Sequence, residues 1–330
     1  MKRTFKNILP IVFLLVTAEL FAQEEKKEKK EKTRYEFFKE RNISKTYSAS
    51  GNTLSIDNSF GKVKITTWDK NEIKVDIHIE ASSTNKEVAE RTFERMDVKD
   101  SQEGKNIYFK SSVNKNNDEY KVDCKDCSNT MSVDYDIHMP ANNALNIVNS
   151  FGSIEIPDYN GMVSLTCTYG SLTAGKLSRP EKVTVEFGRA DLKSIGNIDL
   201  DFKYSSINIG NLTGKVKLNL QFCGYSKINL DNGLTSLEVD DSYSHLHLVP
   251  PANLAASYTV RTSYGSFVDK TGIGITRIDA PEKYGPDLNK HYEGKSGAGT
   301  VKIDIKSSFG NIMIGEGTQA DMKPKKKVRS

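Results

Sequence analysis

The sequence predicts an all-β chain, a β-solenoid of about 18-residue coils behind an N-terminal β-rich cap that contains one helix. Three observations predict it. An aromatic residue followed by a small one recurs at Phe151-Gly152, Tyr169-Gly170, Phe187-Gly188, Tyr204-Ser205, Tyr225-Ser226, Tyr243-Ser244 and Tyr264-Gly265, at spacings of 18, 18, 17, 21, 18 and 21 residues. Ahead of each pair, apolar residues fall at every second position, as in Val163, Leu165, Cys167 or Ile198, Leu200, Phe202. That is the period of a half-buried strand. After the ring the parity shifts by one, as in Phe151 followed by Ile154 and Ile156. The strand must bend there, and a small residue tolerates the bend.

Taken in chain order, residues 1–22 read as a secretory signal peptide, with Lys2, Arg3 and Lys6 ahead of a short apolar run and Ala22 at the cleavage point. No later segment is apolar enough for a transmembrane helix. The run EEKKEKKEK marks residues 23–42 as a charged linker, because such a run has nothing to bury. Residues 43–140 form the cap. In it "KVKITTWDKNEIKVDIHIEAS" reads as two strands joined at Asp69, Lys70 and Asn71. "TNKEVAERTFERM" reads as the helix, capped by Thr84 with Glu87 three positions on. "KNIYFKSSV" and "VDYDIHMP" read as further strands. The cap covers a strand edge that would otherwise invite aggregation.

The repeat domain spans residues 141–316 and closes with Phe309-Gly310. Gly161, Gly196, Gly214 and Gly233 supply turns between units. A sandwich of antiparallel hairpins is the alternative; it also alternates but does not require a repeated corner. The phrase "NSFGKVKI" at 58–65 returns as "NSFGSIEI" at 149–156, so the cap carries one corner of its own, Phe60-Gly61. Parity places Asn58 and Asn149 with the inward set, beside Phe60 and Phe151. There an amide can bond backbone groups freed by the bend. Asp241, Thr262 and Ser307 hold the matching position elsewhere. Residues 317–330 form a basic tail. The net charge of +4 is modest and partly tail-borne, so nucleic acid is not an expected partner.

The stretches "YDIHMPANNALNIVNSFGSIEI", "GMVSLTCTYGSLTAGKL" and "TVKIDIKSSFGNIMI" resemble the secreted β-strand-repeat proteins of Gram-negative bacteria usually labelled adhesins or domains of unknown function. The resemblance covers roughly residues 50–315. It implies export, to the periplasm or outer surface, and brings no catalytic residues.

Several residues invite a chemical reading. Cys124 and Cys127 form a lone CxxC, which in an exported chain predicts a local disulfide. A zinc site would need more ligands than this pair offers. Cys167 and Cys223 read as free thiols. His245 and His247 share a strand face, but alignment of the units places Lys227 and Asn229 beside them, and an ammonium disfavours a cation. Asp199, Asp201, Glu238 and Asp240 face outward, as in polysaccharide-cleaving β-helices. Lys217 falls between Asp199 and Glu238, and Asn219 between Asp201 and Asp240, so the column reads as a charge ladder. The period breaks over residues 270–298, where Tyr284, His291 and Tyr292 form a speculative ligand loop. The expectation is an exported, non-enzymatic, adhesin-like or envelope-structural protein with no cofactor, meeting an envelope protein or glycan. A carbohydrate-active β-helix enzyme is the alternative.

Overall fold

The computed structural model describes residues 34–114, 124, 126–282 and 284–322. The expected signal peptide, most of the charged linker and the last eight residues of the basic tail lie outside the described residues. Strands begin with β1 (Phe37–Ser48), which starts within the stretch that the charge pattern assigns to the linker. Next come β2 (Thr53–Ser59), β3 (Val63–Thr67) and β4 (Glu72–Ser83), the helix α1 (Lys86–Glu94), then β5 (Met96–Glu103), β6 (Asn106–Val113) and β7 (Asn129–Met139). The corner-bearing strands follow: β8 (Ala144–Ser150), β9 (Ser153–Ile156), β10 (Tyr159–Thr168), β11 (Ser171–Glu186), β12 (Arg189–Lys203), β13 (Ser206–Gln221), β14 (Tyr225–Ser242), β15 (His245–Val249), β16 (Ala256–Ser263) and β17 (Ser266–Lys270). The chain ends with β18 (Thr276–Arg277), β19 (Asn289–Lys295), β20 (Val301–Ser308), β21 (Asn311–Gly315) and a short 3-10 turn at Gln319–Met322.

The strands form two hydrogen-bonded ladders wrapped around one core. The first, which holds every strand that precedes a ring, runs β5-β6-β2-β8-β10-β11-β12-β13-β14-β20-β16-β19-β18. The second runs β1-β4-β7-β3-β9-β11-β12-β13-β14-β15-β21-β17. The long strands β11 to β14 serve both. Each begins in the second ladder, bends, and ends in the first. In β12 the register shifts between Gly196 and Ile198, where Asn197 has φ 54°. The result is a long, mostly parallel, solenoid-like stack. Antiparallel pairs are confined to its ends: β1–β4, β4–β7, β5–β6, β16–β19 and β18–β19. That pattern sets the hairpin sandwich aside.

Alternation builds the core. Leu145, Leu165, Val183, Leu200, Leu218, Val239 and Ile305 are each no more than 1% exposed. Deep burial of such side chains is worth roughly 1.5–3 kcal/mol each. The helix differs in detail from the expectation. Its cap is Asn85, which accepts from the Val88 N–H at 3.2 Å, while Thr84 accepts from the Ser128 N–H.

Spatial order departs from chain order at both ends. The β2–β3 turn lies directly against β8–β9, with Asn58 opposite Asn149, which places the two copies of the repeated phrase on adjacent rungs. At the other end β20 and β21 lie between β14–β15 and β16–β17.

Candidate functional site

The corner residues form one continuous column. In spatial order it reads Phe60, Phe151, Tyr169, Phe187, Tyr204, Phe222, Tyr243, Phe309, Tyr264, with ring centroids 4.6–5.1 Å apart and planes within 13° of parallel. Two expectations need correction. Tyr225 is not a member; Phe222, followed by Cys223, holds that place, and the column spacing there becomes 18 and 21 rather than 21 and 18. The rings also do not face inward. All nine residues adopt the left-handed backbone region, φ 49–64°, which swings the side chain out of the strand's alternation. Eight of them are 43–56% exposed.

That conformation costs a bulky residue roughly 1–2 kcal/mol. Ring stacking returns about 0.5–1.5 kcal/mol per pair. The ladder also continues through the bend: the Phe151 N–H reaches Thr168 O at 2.9 Å, and the Tyr169 N–H reaches Glu186 O at 2.9 Å. The residue after the ring is small because successive backbones nearly touch. A Cβ on Gly152 would stand 1.7 Å from Gly61 O, and one on Gly170 would stand 1.7 Å from Gly152 O. Where Ser205 occupies this place, its hydroxyl is turned to Lys203 O at 2.7 Å. Because each ring face is covered by its neighbour, the column presents ring edges to solvent. Only the outermost faces, at Phe60 and Tyr264, lack a stacked ring.

The inward Asn reading holds at the two copies of the phrase. The Asn149 amide donates to Gly61 O and Ser153 O, and the Asn58 amide to Val133 O and Asn149 Oδ1.

The outer side of the first ladder carries open grooves. One, of about 1040 Å³, crosses β11, β12, β13, β14 and β20; Asp199, Lys217, Glu238, Lys302, Asp304 and Lys306 help line it. The expected columns are present: Asp199–Lys217–Glu238–Asp304, and beside it Asp201–Asn219–Asp240–Lys306–Arg261. Ion pairs run diagonally, with Lys217–Asp240 at 3.7 Å, Lys306–Glu238 at 3.9 Å and Arg261–Asp304 at 3.1 Å. At this exposure each contributes little stability. The second groove, of about 440 Å³, lies where β16, β19 and β20 meet. Arg261, Lys290 and Lys306 give it a cationic lining, beside His291, Ser263 and Asp279.

The segment 270–298 is built rather than loose. Its strand β19 adds to β16. Arg277 clamps both Asp279 and Asp287, holding each carboxyl below its usual range. The structure does not bring Tyr284, His291 and Tyr292 together. Tyr284 is 91% exposed, His291 lines the second groove, and Tyr292 packs against the core with its ring 4.9 Å from Phe267.

The two histidines are likewise divided. His245 is exposed; His247 is fully buried, with Nδ1 2.7 Å from Tyr225 Oη and Nε2 2.8 Å from Gly315 O. Nε2 donates to that carbonyl, since a carbonyl oxygen can only accept. Their neighbours are Tyr225 and Lys227, not Lys227 and Asn229, since the corner lies at Phe222. Cys124 and Cys127 are disulfide-bonded. Cys167 and Cys223 are buried free thiols, and burial pushes the Cys167 thiol up to about 11. One cluster escaped the sequence reading: Glu40, His78 and Glu80, brought together by the antiparallel register of β1 and β4. Arg34 pairs with both carboxylates, at 2.6 and 3.5 Å, which opposes a bound cation.

No helix among the described residues is long and apolar enough to cross a membrane. No protein-family model matches the chain, and no curated protein matches it. Two solved structures do. A candidate cell adhesion protein from Clostridium sporogenes shares 11% identity over 84% of this chain and 100% of its own, with a TM-score of 0.20. A candidate adhesin from Bacteroides fragilis shares 9% identity over 83% of this chain and 97% of its own, with a TM-score of 0.25. A likeness of this size fixes neither fold nor function.

Proposed function

We propose that the chain is an exported, non-enzymatic protein with an adhesin-like or envelope-structural role, which holds an extended glycan or envelope protein along the outer side of its first ladder. The observation that carries this reading is the open groove of about 1040 Å³ crossing five strands, with fixed charges of both signs in its lining. It sits on a rigid stack, so a long partner meets many weak contacts at once without ordering the protein first. The Cys124–Cys127 disulfide fits an oxidising compartment and therefore export.

The test is binding to a glycan array and to envelope fractions, with Lys217→Glu and Lys306→Glu as comparison. Loss of binding by a double variant with an unchanged melting point supports the reading; undiminished binding overturns the assignment of this surface. The carboxylates Asp199, Glu238 and Asp304 in the same groove favour a second reading, a carbohydrate-active enzyme. Release of shorter sugars from a bound polysaccharide would establish that one instead.

A further inference from the structure

The last two strands occupy a place that the chain leaves open until its end. After β14 and β15 the chain skips one rung, lays down β16 and β17, and returns through β18 and β19. Only then does it fill the gap: β20 pairs with β14 on one side and β16 on the other, and β21 pairs with β15 and β17. Before filling, the gap is about 10 Å wide, twice the strand spacing. Its walls are two rows of unpaired backbone groups that face each other, a template for an added strand. The lining is apolar on the inner side, where Leu237, Val239, Tyr258 and Val260 flank the places of Ile303 and Ile305. It also carries a polar key. The Ser307 hydroxyl donates to buried Asp241 at 2.5 Å, and a Cβ on Gly310 would stand 2.0 Å from the same carboxylate oxygen.

The inserting segment is joined to β19 by a short connection containing Gly297 at φ 54° and Gly299 at φ 69°. It ends in a trailing piece that seats on the outside of the second ladder, where Gly315 O meets His247 and Met322 is buried.

We propose that residues 301–322 are an exchangeable insert, and that the same segment of a second copy fills this seat to give a strand-exchanged assembly. The occupant follows from the seat. It requires a parallel strand with isoleucines in alternation, a hydroxyl opposite Asp241 and glycine at the bend. A second copy supplies every one of these, so closed and exchanged forms differ only at the Ser296–Thr300 connection. Reciprocal exchange closes a dimer; one-way exchange extends a filament.

The test uses the full chain in two differently tagged single variants, Ser236→Cys and Lys302→Cys. These positions are neighbours across β14 and β20 and face outward. The two variants are refolded together at high concentration and oxidised. A disulfide-linked heterodimer is the expected product, because residue 302 of one copy then lies beside residue 236 of the other. Lys302→Cys mixed with Thr173→Cys, a distant outward position on β11, gives the background level. The double variant Ser236→Cys/Lys302→Cys, closing internally when dilute, shows that the pair can bond. Heterodimer no greater than the Thr173 background overturns the proposal. So does light scattering that finds only monomer after refolding of the unaltered chain at every concentration.

Discussion

Gly170 and Ser205 hold equivalent places after a ring, yet the room beside them differs. A Cβ at Gly170 would meet a backbone carbonyl that cannot step aside, whereas Ser205 already carries one and uses its hydroxyl on Val185 O and Lys203 O. Gly170→Val should therefore cost roughly 2 kcal/mol or more, and Ser205→Ala about 1 kcal/mol. Equal melting temperatures for the two variants would contradict this account of the corner. Asp241 offers a second test. Burial raises its carboxyl above the ordinary value, and the hydrogen bond from Ser307 offsets that only in part. The folded chain thus keeps this proton to higher pH than the unfolded chain, whose reference is about 3.9. Stability from the protonated form is complete below that reference and is lost as pH rises through the folded value. Asp241→Asn should raise the melting temperature at pH 7 and change it little near pH 3.5; an equal shift at both would refute the assignment. The small residues and the inward amides were legible in the sequence. The outward rings were not, because a parity count assumes extended backbone and a bulky residue in the left-handed region breaks that assumption.

The ends of the elements are held by single side chains. Asn85→Ala removes the acceptor for the Val88 N–H and should cost about 1 kcal/mol. Thr84→Ala, expected from the sequence to be the capping loss, should cost less; chemical denaturation of both variants decides. In the excursion after β17, Arg277 joins Asp279 and Asp287 across the bend between β18 and β19. Arg277→Ala should expose residues 278–288 to limited proteolysis while the parallel rungs stay intact. Cleavage no faster than in the unaltered chain would show that the clamp is not what orders the segment. Neither feature was plain beforehand. The charged strand β5 carries no alternation to betray it, and β19 reads as a polar loop because its partner β16 supplies the order.

Across the whole molecule, one inward column changes character along its length. It runs Asn58, Asn149, Cys167, Val185, Phe202, Leu220, Asp241, Ser307, Thr262. The middle is apolar, where rungs follow chain order and register needs no further instruction. The ends are polar, where rungs are stacked out of order and a wrong neighbour would leave the Asn58 and Asn149 amides or the Ser307 hydroxyl unpaired. Asn149→Leu should cost about 1–3 kcal/mol by stranding the Gly61 and Ser153 carbonyls. Hydrogen exchange should locate that loss at β2 and β8. A melting temperature at or above that of the unaltered chain would mean that the amides do not set register. The repeated phrase was visible in the sequence, but the adjacency of its copies was not, since it depends on strands β6 and β7 docking outside β2 and β3.

The column of parallel rings also makes the protein an optical object. Four tyrosines and five phenylalanines stand face to face within 5.1 Å, and the chain's single tryptophan, Trp68, packs elsewhere, beside His138. Transition dipoles that close and that aligned couple, so each tyrosine transition should borrow rotational strength from the rings around it. The native chain should show an intense, structured circular dichroism band near the tyrosine absorption, and fast depolarisation of tyrosine emission as excitation passes between tyrosines on alternate rungs. Both signals would report the integrity of the corner in real time without any label.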